Sequence, residues 1–156
     1  PWLPEFLLGL NDAKAIGDVM RHSCVDESMF PPEVGEVYRQ NANLPGALKA
    51  MINYYRALLR GRKEVAARGL PIINVPTLMI WGEEDVALTR ETTYGTEEYV
   101  RDLQIRYLPR VSHWVQQEAP EQVNVMMKAF LEDAPVPEVE WRMHLVLPTD
   151  EVPASR

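Results

Sequence analysis

The residues whose chemistry stands out are an aspartate and a histidine, Asp85 and His113, each following a short apolar run. Asp85 comes after residues 76–81 and a turn at Gly82, and His113 comes after residues 103–108. If these runs are adjacent parallel strands, their exits lie roughly 5–10 Å apart at one edge of the sheet. A carboxylate there can hold the imidazole Nδ1–H and leave Nε2 as a general base. Spacing alone still favours the simpler interpretation of an unrelated turn acid and loop histidine.

A third candidate is a tyrosine on the clearest amphipathic helix of the sequence. This helix is expected to begin after Pro45-Gly46 and to end at Gly61. One stripe of it consists of Leu48, Ile52, Tyr55 and Leu59. A phenol hydroxyl within an apolar stripe needs a partner, which can be protein, water or substrate. A core aromatic without catalytic role is the alternative interpretation of Tyr55.

The remaining pattern predicts an α/β fold with a parallel sheet. The two apolar runs are interpreted as strands buried on both faces, and helices are predicted over 12–22, 33–40, 90–100 and from Pro120 onward. Strand, helix, strand, helix in this order is typical of parallel α/β architecture. The last helix is expected to face the sheet with Val123, Met127, Phe130 and Leu131.

Composition excludes several classes of protein. The 156 residues include 46% hydrophobic and 25% charged residues, which indicates a globular chain. A formal net charge of −7 argues against nucleic-acid binding, and the basic residues within 56–68 are interpreted as a solvated helix end. The single cysteine, Cys24, excludes an internal disulfide framework and favours a reducing compartment, the cytoplasm. No apolar run approaches the roughly 20 residues that a membrane span requires.

Two segments resemble the α/β-hydrolase superfamily over residues 72–131. VPTLMIWGEED, ending at Asp85, resembles the strand and acid turn of that superfamily. SHW followed by QEAPE, from Ser112 onward, resembles its histidine loop and last helix. The resemblance implies that Asp85 is the triad acid and His113 the base. Trp114 is a candidate for lining the substrate pocket, although structural packing is the simpler role.

The first seventy residues resemble the helical cap of epoxide hydrolases, on the segments PWLPEF and Asn53-Tyr54-Tyr55-Arg56. This resemblance implies that Tyr55 is one of two cap tyrosines that donate hydrogen bonds to the epoxide oxygen, while Tyr54 packs. The implied organisation is a helical cap over 1–68 and the C-terminal part of an α/β-hydrolase core over 69–131. Residues 132–156 are expected to form a Pro-rich acidic tail, with one possible extra strand over 139–147.

The nucleophile that such an enzyme needs is not found in the sequence. The family places it between glycines four residues apart, and none of the eight glycines forms such a pair. Together with a first residue that is Pro1 rather than Met, this leads us to expect a C-terminal fragment with negligible activity of its own. In the whole enzyme, the resemblance implies an aspartate nucleophile, a small apolar epoxide and water as substrates, and no metal or cofactor.

Other functions stay open at this point. Haloalkane or haloacid dehalogenases and serine-type ester or carbon–carbon hydrolases share the acid–histidine pair and a helical cap. A non-catalytic binding module is the alternative from a different class. The sequence also leaves open whether the protein forms a homodimer.

Overall fold

A computed structural model describes residues 3–139. Three helices come first, α1 (Leu3–His22), α2 (Pro32–Ala42) and α3 (Ala47–Arg68), and together they form the helical region. Strands β1 (Thr77–Gly82) and β2 (Leu103–Leu108) follow, and then helices α4 (Val115–Glu118) and α5 (Pro120–Leu131). The prediction of an α/β fold is confirmed, and so is the predicted strand over 103–108.

Helix α1 is interrupted near its middle. Leu10 is extended, and the next three residues, Asn11, Asp12 and Ala13, have φ values between 53° and 57°. Asn43, the residue after α2, stabilises this left-handed turn. Its side chain donates a hydrogen bond of 2.7 Å to the carbonyl oxygen of Asp12. The second half of α1 therefore begins close to where the sequence predicts a helix, over 12–22.

Small residues allow α1 and α2 to pack closely. A Cβ placed on Gly17 of α1 would lie 3.0 Å from the carbonyl oxygen of Gly35 in α2. Phe30, in the connection between the two helices, is fully buried. Helix α2 begins at Pro32, whose fixed φ suits the first turn of a helix. The predicted helix over 33–40 is thus confirmed and is slightly longer.

Helix α3 differs from its prediction in length and in its buried side. It continues through Gly61 to Arg68 and ends at Gly69, which has a φ of 72°. One glycine costs a helix only about 1 kcal/mol relative to alanine, so the helix formers around Gly61 carry the helix onward. Leu48, Ile52 and Arg56 are partly buried, whereas Tyr55 and Leu59 are exposed. The predicted stripe is therefore wrong in its second half.

Many large apolar side chains are exposed in the described residues. On α3 they include Met51, Leu58, Leu59 and Val65, and between α3 and β1 they include Leu70, Ile72, Ile73 and Val75. The apolar runs predict strands that are buried on both faces, but the two strands are mostly half-buried.

Strands β1 and β2 are parallel neighbours, as the candidate pair Asp85 and His113 requires. Their register pairs Thr77 with Leu103 and Gly82 with Leu108. Both strands therefore end at the same level, and the loops after them leave from one edge of the sheet. The segment between the strands is not the predicted helix over 90–100, but two short 3₁₀ turns separated at Gly95, whose φ is 83°.

A small core lies between the strand pair and α5. Its buried members are Leu108, Val111, Ala119, Val123, Met126 and Val136. On α5 it is Met126 that is buried, whereas Met127 and Leu131 are exposed, which corrects the predicted inner face of this helix. Val136 lies beyond α5 and packs into this core, and the Arg106 guanidinium on β2 donates to its carbonyl oxygen.

The predicted strand over 139–147 falls almost entirely outside the described residues. Val139, the one position within them, has no regular secondary structure and packs against the core.

Gly82 is where the end of β1 touches the loop that carries His113. A Cβ at Gly82 would lie 2.1 Å from the carbonyl oxygen of Ser112 and 2.3 Å from that of Val111. Such distances are far below van der Waals contact, and the neighbouring atoms are backbone rather than a movable side chain. Only glycine therefore allows the histidine loop to pass over the end of β1.

Gly82→Ala is expected to lower the free energy of unfolding by about 3 kcal/mol or more, because the methyl group displaces backbone. Gly61→Ala is the matched control, since nothing lies within 4 Å of a Cβ at that helical glycine. The control is expected to stabilise the chain by about 1 kcal/mol or less. Urea unfolding of both variants measures the difference, and equal midpoints would contradict the close approach.

Candidate active site

The structure brings Asp85 and His113 together. The Asp85 side chain is 5% exposed, and its Oδ2 lies 2.9 Å from Nδ1 of His113, whose side chain is 31% exposed. The two residues are 28 positions apart in the chain and meet because their loops leave adjacent strand ends. The geometric part of the sequence expectation is thus realised, and a nearly buried carboxylate faces a partly accessible imidazole.

The other carboxylate oxygen of Asp85 is held by its own loop. Oδ1 accepts hydrogen bonds of 2.8 Å from the backbone N–H groups of Ala87 and Leu88. Burial of Asp85 favours its neutral form, but the hydrogen bonds from Leu88, His113 and Ala87 outweigh burial and lower the pKa of the carboxyl below its ordinary value. Asp85 is therefore ionised at neutral pH and acts only as an acceptor.

The ionised carboxylate determines the tautomer of His113. Because Asp85 has no proton to donate, Nδ1 of a neutral His113 must carry the hydrogen of the shared hydrogen bond. Nε2 then holds a lone pair, and it makes no hydrogen bond to any of residues 3–139. The arrangement orients a partly exposed imidazole so that Nε2 is the nitrogen left to act as a base.

Backbone hydrogen bonds hold the two loops side by side. The N–H of Glu83 donates to the carbonyl oxygen of Leu108, and the N–H of Glu84 donates to that of Val111, each over 3.0 Å. The side chain of Glu83 pairs with Arg90 at 2.7 Å, which ties the acid loop to the segment after it. The Asp85–His113 distance therefore depends on a backbone framework and not on side chains alone.

Trp114 connects His113 to the helical region. Its ring stands edge-on to the His113 ring, with 4.9 Å between the centroids. Its indole N–H donates a hydrogen bond of 2.6 Å to the hydroxyl of Ser23, just after α1. Trp114 thus packs against the imidazole and contacts the helices at the same time, and its indole nitrogen is already used by protein.

Tyr55 makes no hydrogen bond or ring contact with Asp85 or His113 in the described residues. Its side chain is 66% exposed, and its ring makes an edge contact with Tyr54, which is 74% exposed. Because Tyr54 is so exposed, the interpretation of it as a packed residue is wrong. Neither hydroxyl has a hydrogen-bond partner among residues 3–139. The described side chains do not enclose the Tyr55 side chain.

Glu118 has no predicted role, although it lies in the QEAPE segment that resembles the α/β-hydrolases. One carboxylate oxygen accepts from the backbone N–H of Ser112 at 3.1 Å, and the other accepts from that of Val25 at 2.8 Å. Gln117 adds a side-chain hydrogen bond of 3.4 Å to the Tyr38 hydroxyl. The contact with Val25 can be identified only from the three-dimensional structure, because the Val25 side chain takes no part in it.

Within the part of the chain that the structure describes, no cluster of three or more His, Cys, Asp or Glu side chains is arranged to hold a metal ion. In the same residues, no helix combines the length and apolar character that a membrane span requires.

Comparison with known proteins finds similar sequences that are named as hydrolases. The chain is 31% identical over 135 residues to epoxide hydrolase 3 of Mus musculus and 32% identical over 146 residues to epoxide hydrolase 4 of Homo sapiens. It is 35% identical over 137 residues to the AB hydrolase superfamily protein YfhM of Bacillus subtilis. Each alignment covers 85% of this chain but only 36%, 37% and 45% of these relatives, respectively. No protein-family model matches the chain.

Solved structures share the fold. Cfl2 from Burkholderia cenocepacia superposes with a TM-score of 0.69 at 17% identity, over 82% of this chain and 43% of that protein. An epoxide hydrolase from Bacillus megaterium in complex with an inhibitor gives a TM-score of 0.65 at 23% identity, over 82% of this chain and 47% of that protein. The described helices and two-stranded parallel sheet thus match part of a larger fold.

The lowered pKa of Asp85 predicts that the stability of the fold depends on pH. A carboxyl whose folded-state pKa lies below its ordinary value of 3.8 stabilises the fold above that pH. The contribution is lost as the pH falls through the folded-state pKa. Asp85→Asn is therefore expected to lower the free energy of unfolding by about 1–3 kcal/mol near neutral pH, and by progressively less in acid.

Urea unfolding at a series of pH values measures this difference. Asp102→Asn is the matched control, because Asp102 is an exposed aspartate and surface substitutions usually change stability little. An effect of Asp85→Asn that is equal at about pH 6 and about pH 3 would contradict an ionised, hydrogen-bonded Asp85.

Proposed function

We propose that this chain, epoxide hydrolase-like in sequence and with part of the α/β-hydrolase fold, supplies the acid–histidine pair and cap of an epoxide hydrolase. In this proposal the helical region is the cap, and residues 69–131 are the C-terminal part of the hydrolase core. The nucleophile, an aspartate, lies outside the 156 residues. The hydrogen bond between Asp85 and His113 is the observation that carries the proposal.

The proposed reaction has two steps, and His113 acts in the second. In the first, the aspartate carboxylate attacks an epoxide carbon, the carbon–oxygen bond of the ring breaks, and a covalent ester forms. In the second, Nε2 of His113 takes a proton from water, and the resulting hydroxide attacks the ester carbonyl. The diol leaves, the nucleophile is regenerated as a carboxylate, and the proton taken up by His113 returns through solvent to the Tyr55 phenolate. Asp85 stabilises the imidazolium that forms on His113.

Tyr55 is proposed as the acid of the first step. Ring opening creates an alkoxide, and a phenol held beside the epoxide oxygen can protonate it as it forms. What supports this role is the exposed Tyr55 side chain, whose hydroxyl has no hydrogen-bond partner among residues 3–139, and the apolar side chains on the same face of α3, Met51, Leu58 and Leu59. These neighbours favour a small apolar epoxide as substrate.

The proposed compartment of the protein is the cytoplasm. A single cysteine, Cys24, suits a reducing compartment such as the cytoplasm.

Replacing the base should trap the proposed intermediate. In the enzyme that contains both this chain and its nucleophile, His113→Gln is expected to slow ester hydrolysis by about 10²-fold or more, because the general base is lost. The ester should then accumulate and raise the protein mass by that of one epoxide molecule. Mass spectrometry after mixing with an aryl epoxide measures this, and His22→Gln, at an exposed histidine, is the control. A His113→Gln enzyme that turns over normally would contradict the proposal.

Removing one hydroxyl should distinguish an epoxide hydrolase from a dehalogenase. In the same enzyme, Tyr55→Phe is expected to lower epoxide turnover by about 10²-fold, because alkoxide formation loses its acid. Halide release from a haloalkane needs no alkoxide protonation and should barely change. Tyr54→Phe is the matched control, as the neighbouring tyrosine has similar exposure. Equal epoxide turnover in both variants would exclude Tyr55 as the acid.

A further inference from the structure

Glu118 contacts two parts of the molecule that are far apart in the chain. It lies at the C-terminal end of α4 and is partly buried. Its Oε1 accepts from the backbone N–H of Ser112, the residue before His113, and its Oε2 accepts from the backbone N–H of Val25, 93 positions away. One carboxylate therefore joins the histidine loop to the segment that follows α1.

The chemistry of these contacts requires a carboxylate. Both partners are backbone N–H groups, so both side-chain oxygens must accept. An amide in this place has one acceptor and one donor, and its NH₂ group would face an N–H group. Hydrogen bonds from N–H groups to an ionised carboxylate are also stronger than those to a neutral acceptor.

A second contact runs parallel to the first. Trp114 donates to the Ser23 hydroxyl, and that hydroxyl in turn donates to the carbonyl oxygen of Met20 in α1. His113 thus lies between two anchored neighbours, since Ser112 is held by Glu118 and Trp114 by Ser23. These contacts hold the chain on both sides of His113, from which the imidazole reaches Asp85.

We propose that Glu118 is a positioning residue for His113, which holds the imidazole against Asp85 by joining the histidine loop to the helical region. The inference rests on the proposed function for the role of His113, but the contact can be measured without catalysis. If the helices move relative to the strands, the position of His113 changes with them through residues 112–118.

The test is the solvent exchange of the His113 Nδ1–H proton, observed by NMR in the 156-residue chain with ¹⁵N-labelled histidine. In Glu118→Ala both acceptors are lost, and this proton is expected to exchange about tenfold faster than in the wild-type chain. In Glu118→Gln one acceptor is kept, and an intermediate rate is expected. Gln116→Ala is the matched control, because Gln116 is an exposed residue on the same short helix.

Urea unfolding of the same samples separates positioning from general stability. Glu118 variants that unfold at lower urea while the Nδ1–H exchange rate stays at the wild-type value would overturn the proposal. If Glu118→Ala does not fold, the comparison of Glu118→Gln with Gln116→Ala decides, and equal exchange rates in these two would overturn it as well. Asp85→Asn is the positive control, since it removes the ionised acceptor of the same proton.

This experiment also distinguishes the two proposals. A wild-type chain in which His113 shows no hydrogen-bonded Nδ1–H would refute the basis of the proposed function. A normal wild-type signal that does not respond to substitution of Glu118 would refute only the positioning role.

Discussion

The candidate site depends on the close passage of the histidine loop over the end of β1 at Gly82. Two parallel strands in register bring two loops to one edge of a sheet, but the spacing between those loops is set by the backbone contact at that glycine. The N–H of Glu84, two residues later, donates to the carbonyl oxygen of Val111 and continues the same contact. The Asp85–His113 hydrogen bond is thus a result of backbone packing, which explains how a partly exposed imidazole is held in one orientation.

Three residues that follow His113 contact the helical region or the segment after α1. Trp114, Gln117 and Glu118 each contact the helices, through Ser23, Tyr38 and Val25 respectively. This short segment carries His113 and also contacts the helical region, so it couples the geometry of the candidate site to the position of the helices. In an enzyme with a cap, such coupling would connect substrate enclosure with the orientation of the base.

The sequence predicts the parts of this structure that arise from local rules. The strand over 103–108 and the helices starting at Pro32 and Pro120 follow from apolar runs and from proline at a first helical turn. The pairing of Asp85 with His113 follows from parallel topology, helped by a resemblance to α/β-hydrolases. The failures have tertiary causes: α3 continues through Gly61, its buried side passes through Arg56 rather than Tyr55, and Met126 rather than Met127 enters the core. Glu118 was missed because its partners are backbone groups, which carry no signature in the residue types.

The large apolar side chains left exposed along α3 and before β1 have a thermodynamic consequence. Heat capacity on unfolding, like the denaturant dependence of stability, grows with the apolar surface that unfolding newly hydrates. A fold in which Leu58, Leu70 and Val75 are already hydrated has less surface left to release. Its calorimetric transition is therefore expected to be broad and its stability curve shallow, with a heat-capacity increment per residue below the roughly 12–15 cal/mol/K of ordinary globular domains.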